Sequence, residues 1–203
     1  MFFYYLCKNI LDMISIEKII NDSIGVKQLI LNDKALVKRI NDAAMMCVES
    51  LKNGGKIHFC GNGGSAADAQ HLAAELSGRF YYDRPPLNAE ALHVNTSYLT
   101  AVANDYSYDM IYARMLQASA KKGDVLIGIS TSGNSANILK AIEVAKEIGV
   151  KTIGMTGEKG GKMADCCDIL INVPSTCTPR IQESHIMIGH IICEIIEATL
   201  FPR

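Results

Sequence analysis

Apolar positions in the first quarter of the chain recur at helical spacing. Ile19, Ile20 and Ile24, then Leu29, Leu36, Val37, Ile40, Ala44 and Met45, return without β-branched runs. That spacing predicts two amphipathic helices closed by the Asn53-Gly54-Gly55 turn. Beyond it the period changes. Short apolar runs at 56–60, 89–94, 124–129, 151–156 and 168–173 read as strands. Helical patterns fall between them at 65–78, 97–120 with a break near Asn104, 135–149 and briefly 161–165, and a last helix runs from Pro179 to about Leu200. Such alternation predicts an α/β fold, a doubly wound five-stranded parallel sheet flanked by helices, with the N-terminal helices attached. No Pro- or Ser-rich linker divides the chain. Residues 13–203 read as one domain and residues 1–12 as an N-terminal extension, with Met13 an alternative start.

Composition narrows the picture. A chain of 203 residues, 49% hydrophobic, is long enough to bury one sizeable core. A formal charge of −1 argues against a nucleic-acid footprint or attraction to anionic membranes, so any bound anion must be held locally. The seven cysteines are odd in number and lack C-x-x-C spacing, which fits a reducing cytoplasm. The apolar start "MFFYYLCKNILDM" is interrupted by Lys8 and Asp12 and has neither a basic n-region nor a small-residue cleavage site. No segment supplies the roughly 18 uninterrupted apolar residues of a membrane span. The chain therefore reads as cytoplasmic, with a membrane anchor at this segment as the alternative.

Two strand-to-helix turns share unusual chemistry. Gly61-Asn62-Gly63-Gly64-Ser65 follows the first strand, and Ser130-Thr131-Ser132-Gly133-Asn134-Ser135 follows the third. Taken singly, each is an ordinary N-cap and glycine turn. Two of them on one parallel sheet combine close backbone approach, unpaired helix N–H groups and rotatable hydroxyls, which suits a phosphate monoester. No G-K-[ST] follows the glycines, which argues against an NTPase, and no G-x-G-x-x-G is present, which weakens a dinucleotide reading.

His71 and Glu75 stand four apart on the helix that opens at Ser65, on one face. Such a pair is either a solvated helix contact, half of a metal site, or a base with its helper. The last helix is apolar nearly all round except for His190, Glu194 and Glu197, so burial or subunit packing is its destination. On an ideal helical wheel Glu183, not Gln182, lies nearer the His190 face. Arg79 and Arg180 are candidate cations near the site, and His58, His93 and His185 read as structural.

The stretches "GNGGSAADAQHLAAELSGRF", "VANDYSYD", "GDVLIGISTSGNSANILKA" and "TPRIQESHIMIGHIICEIIE" resemble the sugar-isomerase (SIS) family, and more narrowly its bacterial phosphoheptose isomerases. The resemblance spans about Lys56 to Leu200. It implies a flavodoxin-like SIS fold and isomerisation of sedoheptulose 7-phosphate to an aldoheptose phosphate through an enediol. Catalysis would fall to Glu75 and His190, with zinc held by His71, Glu75, Gln182 and His190. Substrate would be bound by Asn62, Gly63, Gly64, Ser65, Glu75, Asn104, Asp105, Ser130, Thr131, Ser132, Ser135 and Gln182. A homotetramer with active sites where subunits meet is also implied, as is a product destined for activated heptose in lipopolysaccharide or capsule. The sequence departs from the family pattern at Asn95, where Asp is usual, and at Ser107, where "DYGY" is usual. Within the same fold, a non-catalytic partner-binding protein of the replication-initiator-associating type, or a sugar-phosphate sensor, is the competing reading. The four-residue set His71, Glu75, Gln182 and His190 argues against both.

Overall fold

The computed structural model describes residues 15–203. The expectations for residues 1–12 and for a start at Met13 lie outside the described residues. Two helices come first, each opened by a side-chain cap. Ser15 Oγ accepts from the Lys18 N–H at 3.2 Å to start α1 (Ile16–Asn32), and Asp33 Oδ1 accepts from Leu36 N–H at 2.9 Å to start α2 (Lys34–Lys52).

The alternating part of the chain follows: β1 (Ile57–Gly61), α3 (Gly64–Ser77), β2 (Ala89–Ala91), α4 (Thr96–Asp105), α5 (Ile111–Ser119), β3 (Val125–Ile129), α6 (Ala136–Ile148), β4 (Lys151–Thr156), β5 (Ile169–Asn172) and α7 (Thr178–Leu200). All strand pairs are parallel and the order is β2-β1-β3-β4-β5. The order reverses between β1 and β3, so a ligand crevice is expected beyond their C-terminal ends.

Strand alternation assigns the faces. Ile57, Phe59, Val125, Ile127, Ile129, Ile153 and Met155 pack with α2, α3 and α7, whereas Cys60 and Leu126 pack with α5 and α6. The expected helix at 97–120 is two helices, separated after Asp105 by a short turn that contains a single 3-10 turn at Tyr108–Met110. The second strand is only Ala89–Ala91, shorter than its apolar run, because it pairs with β1 alone at the sheet edge. Val26, Ile30, Leu36, Ile40 and Ala44 are buried, but Ile19, Ile20, Ile24, Leu29, Val37 and Met45 are exposed. The apolar stripe of the two N-terminal helices is thus wider than the surface this chain covers. Among the described residues no helix is long and apolar enough to cross a membrane.

Ser107 has φ −173°, an extended conformation open to any residue, so the departure from glycine costs no strain. Asn95 caps α4 by accepting from Tyr98 N–H at 3.0 Å, a bond that Asp would make equally.

Candidate active site

The β1 turn is held from below. The buried Tyr112 hydroxyl donates to the Gly61 carbonyl. Asn62 then meets Asn137 of α6 through two amide bonds: Asn62 Nδ2 donates to Asn137 Oδ1 at 3.0 Å, and Asn137 Nδ2 donates to Asn62 Oδ1 at 2.9 Å. Tyr108 also donates to Asn62 Oδ1, at 3.2 Å. Ser65 is buried in the first turn of α3.

The β3 turn gathers its hydroxyls. Ser130 Oγ lies 2.9 Å from Ser135 Oγ and 3.5 Å from Ser132 Oγ. Gly133 has φ 66°, and a β-carbon there would stand 2.0 Å from the Gly160 carbonyl oxygen, so this turn requires glycine. Thr131 and Ser132 also border a cavity of about 340 Å³ shared with Lys159, Ser175 and Thr178. The turn carries no cation, yet a lysine of the next loop lines the space beside it.

The third component comes from α3 and α7. His71 Nε2 lies 3.1 Å from Glu75 Oε1 and 3.0 Å from His190 Nε2. One ligand atom from each of the three residues falls within 4.8 Å of the others. Two imidazole nitrogens and a carboxylate oxygen converging in this way form a donor set suited to zinc, and three protein ligands leave a position for a fourth group. The residues present fit such an ion. Close packing of the helices makes the convergence possible: a β-carbon on Gly189 would stand 2.4 Å from Leu72 Cδ1.

Gln182 is placed on the crevice side of α7. A β-carbon on Gly64 would lie 2.6 Å from its Nε2, so its amide rests on the β1 turn. The ideal wheel favoured Glu183, but Glu183 is drawn to the N-terminal helices. It accepts from Ser23 Oγ at 2.6 Å, lies 3.9 Å from Lys27 Nζ and pairs with Arg180. Arg180 in turn donates to the Ile19 carbonyl at 2.8 Å, so it points away from the crevice. Arg79 is exposed at the end of α3. Asn104 and Asp105 are exposed at the end of α4, with Asn104 donating to Asp105 at 2.9 Å. Gly63 and Gly64 form the exposed crest of the β1 turn.

The three other histidines have structural partners or surroundings. His58 is buried 3.2 Å from Asp124, and burial lowers its pKa against the pull of that carboxylate. His185 is buried against the Thr156 carbonyl at 3.1 Å, and burial lowers its pKa to about 4. His93 is half-buried edge-on to Tyr112.

Sequence reasoning missed Asp68. It lies one turn before His71, and burial raises its carboxyl pKa while His71 and His190 pull it down. The 68, 71, 75 spacing places all three on one helix face, a signal that was available. Also missed was a buried clamp behind the site. Arg84 Nε donates to Glu197 Oε1 at 3.0 Å, and its other nitrogens hold the carbonyls of Glu75, Leu76 and Gly78 at 2.9, 2.7 and 3.0 Å.

Residues 26–157 match the SIS domain family. The chain belongs to that family. It is 56% identical over 182 residues, 90% of each chain, to phosphoheptose isomerase 2 of Campylobacter jejuni. Its structure is similar to that of the phosphoheptose isomerase from Neisseria gonorrhoeae, with TM-score 0.84, 45% identity and coverage of 90% and 97% of the two chains. The corresponding values for the phosphoheptose isomerase from Francisella tularensis are 0.86, 40%, 92% and 97%. Within the SIS family the chain is a member of the phosphoheptose isomerases, which are aldose–ketose isomerases.

Proposed function

We propose that the protein converts sedoheptulose 7-phosphate to D-glycero-D-manno-heptose 7-phosphate in the cytoplasm, supplying activated heptose for lipopolysaccharide or capsule. The observation that carries this reading is the convergence of His71, Glu75 and His190 on α3 and α7, beside turns whose hydroxyls and backbone suit a phosphate.

In this reading the phosphate end is bound by Ser65, Ser130, Thr131, Ser132 and Ser135 with the N–H groups of Gly63 and Gly64, which fixes C1 and C2 of the sugar. Asn62, Asn104, Asp105 and Gln182 meet the sugar hydroxyls. Glu75 takes a proton from C1 while His190 gives one to the O2 oxygen, forming the enediol. His190 then takes the proton from O1, and Glu75 returns its proton to C2, which completes the aldose. His71, Glu75, Gln182 and His190 would hold a zinc ion, which when bound would supply Lewis-acid polarisation of the carbonyl. The exposed apolar residues Ile16, Ile20, Ile24 and Leu31 support assembly with further copies, as a homotetramer with sites where subunits meet. Residues 13–203 act as one domain in this assembly.

The test is turnover of sedoheptulose 7-phosphate by metal-replete protein, with Glu75→Gln and His190→Ala beside it. The expected result is conversion by the unmodified protein and loss in both variants with the fold intact. Binding of the sugar phosphate without conversion by the unmodified protein would remove the enzyme reading and favour a sensor.

A further inference from the structure

Asn137 is 98% buried in the first turn of α6, outside every motif to which the reading above gives a role. Its carboxamide has three bonds. Oδ1 accepts from the Ile138 N–H at 3.0 Å and from Asn62 Nδ2 at 3.0 Å, and Nδ2 donates to Asn62 Oδ1 at 2.9 Å. The reciprocal pair with Asn62 joins the two turns just beyond the last paired residues of their strands, Gly61 and Ile129. Each turn includes a glycine with positive φ, 56° at Gly63 and 66° at Gly133, so each has backbone freedom to lose.

The bond to Ile138 has a second effect. Ser135 is the N-cap residue of α6, yet its hydroxyl makes no capping bond and instead faces Ser130 Oγ at 2.9 Å. Asn137 Oδ1 shares the first-turn Ile138 N–H with the Ser135 carbonyl, which accepts it at 3.1 Å, so the carboxamide is fixed to the start of α6 at the same time as it faces Asn62. The Ser135 hydroxyl stays beside Ser130 in the β3 turn.

We infer that Asn137 is a positioning residue for phosphate binding, locking the β1 turn to the start of α6 behind the β3 turn through Asn62. This rests on the reading of the two turns as the phosphate site. Asn62, assigned above to the substrate, then acts mainly as the other half of this clasp, with Tyr108 donating to the same Oδ1 from the exposed side. The pair takes one donor and one acceptor from each carboxamide, which an ionised carboxylate, an acceptor only, cannot reproduce.

The experiment compares unmodified protein with Asn137→Ala and Asn137→Asp. The Asp variant keeps the size of the side chain and its acceptor for Ile138 and Asn62, but places an oxygen against Asn62 Oδ1. Four quantities are measured: KM and kcat for sedoheptulose 7-phosphate, the dissociation constant of inorganic phosphate by calorimetry, and zinc content per chain. KM and the phosphate dissociation constant are expected to rise about tenfold in Asn137→Ala, which corresponds to about 1.4 kcal/mol, and at least as much in Asn137→Asp, whose carboxylate also repels the anion. The kcat and zinc content should stay near their original values, because the His71, Glu75 and His190 set is built on α3 and α7. If Asn137→Ala does not fold, Asn137→Asp alone decides. Unchanged KM and phosphate affinity in a folded variant would overturn the inference, as would an equal fall in kcat and zinc content. Unmodified protein that binds phosphate through this clasp yet never converts the sugar would leave the inference standing and remove the isomerase reading.

Discussion

His71 and His190, 119 positions apart in the chain, bring their Nε2 atoms to 3.0 Å, with Glu75 Oε1 3.1 Å from the first. Two imidazoles pointing the same nitrogen at one another share at most a single proton in a direct bond when both are neutral, whereas one cation between them uses both lone pairs. Substituting either histidine by Ala should lower zinc content well below that of the unmodified protein after gel filtration. Chelation should abolish turnover and added zinc should restore it, with the far-ultraviolet circular dichroism unchanged throughout. Full turnover by rigorously metal-free protein would contradict this.

Gly189 sets how closely α7 approaches α3. Gly189→Ala places a methyl group 2.4 Å from Leu72 Cδ1 and must move the helices or the leucine. Overpacking of this kind costs about 1–3 kcal/mol, and a displacement near 1 Å at reacting groups lowers turnover on the order of 10²-fold. Leu72→Ala in the same chain should recover part of the lost kcat, although the stability deficit remains. Equal kcat in Gly189→Ala and unmodified protein would show that the helix spacing tolerates a methyl group.

The Arg84–Glu197 pair has side chains 2% and 1% exposed. Burial pushes the Glu197 carboxyl up, but the Tyr81 and Phe80 N–H groups and Arg84 together hold it below its ordinary value. Removing one partner strands the other charge, so Glu197→Ala should cost about 3–5 kcal/mol in urea unfolding. Replacing both, as Arg84→Met with Glu197→Leu, should cost less than the sum of the single changes.

His185 gives a pH signature. Its pKa falls from 6.5 in the unfolded chain to about 4 in the fold, with burial the cause. Below 6.5 the unfolded chain takes up a proton that the folded one refuses. This group's contribution is therefore intact above pH 6.5 and is lost progressively as pH falls toward about 4, reaching roughly 3 kcal/mol. His185→Gln keeps a donor for the Thr156 carbonyl. The difference in unfolding free energy between the two proteins should shift across that window and be flat between pH 7 and 8. A difference that is equally flat down to pH 4 would assign the acid sensitivity elsewhere.

The strands, the two turns and the His71–Glu75 pair were legible because each is local: a period, a glycine position, a spacing of four. What brings His190 to that pair is not local. It depends on a glycine of α7 meeting a leucine of α3, and no periodicity reports such a contact. The wheel argument for Glu183 failed for the same reason, since Ser23 and Lys27 of α1 capture that carboxylate from outside the helix being drawn. Asn137 was invisible because an amide in the first turn of a helix ordinarily means only a helix start. The N-terminal stripe was read correctly as helical, but its period could not separate residues covered by this chain from those left bare.

The chain order of α7 has a consequence for synthesis. All five strands and both hydroxyl-bearing turns precede it, yet Ile188, Ile192 and Ile196 of α7 belong to the core on one side of the sheet. A growing polypeptide that has just finished β5 owns every residue of the two turns, but that sheet face lacks its longest cover and His71 lacks its opposing imidazole. Translation therefore delivers the two turns first and the approach of His190 to His71 and Glu75 last, and completing that cluster and covering the sheet are one event.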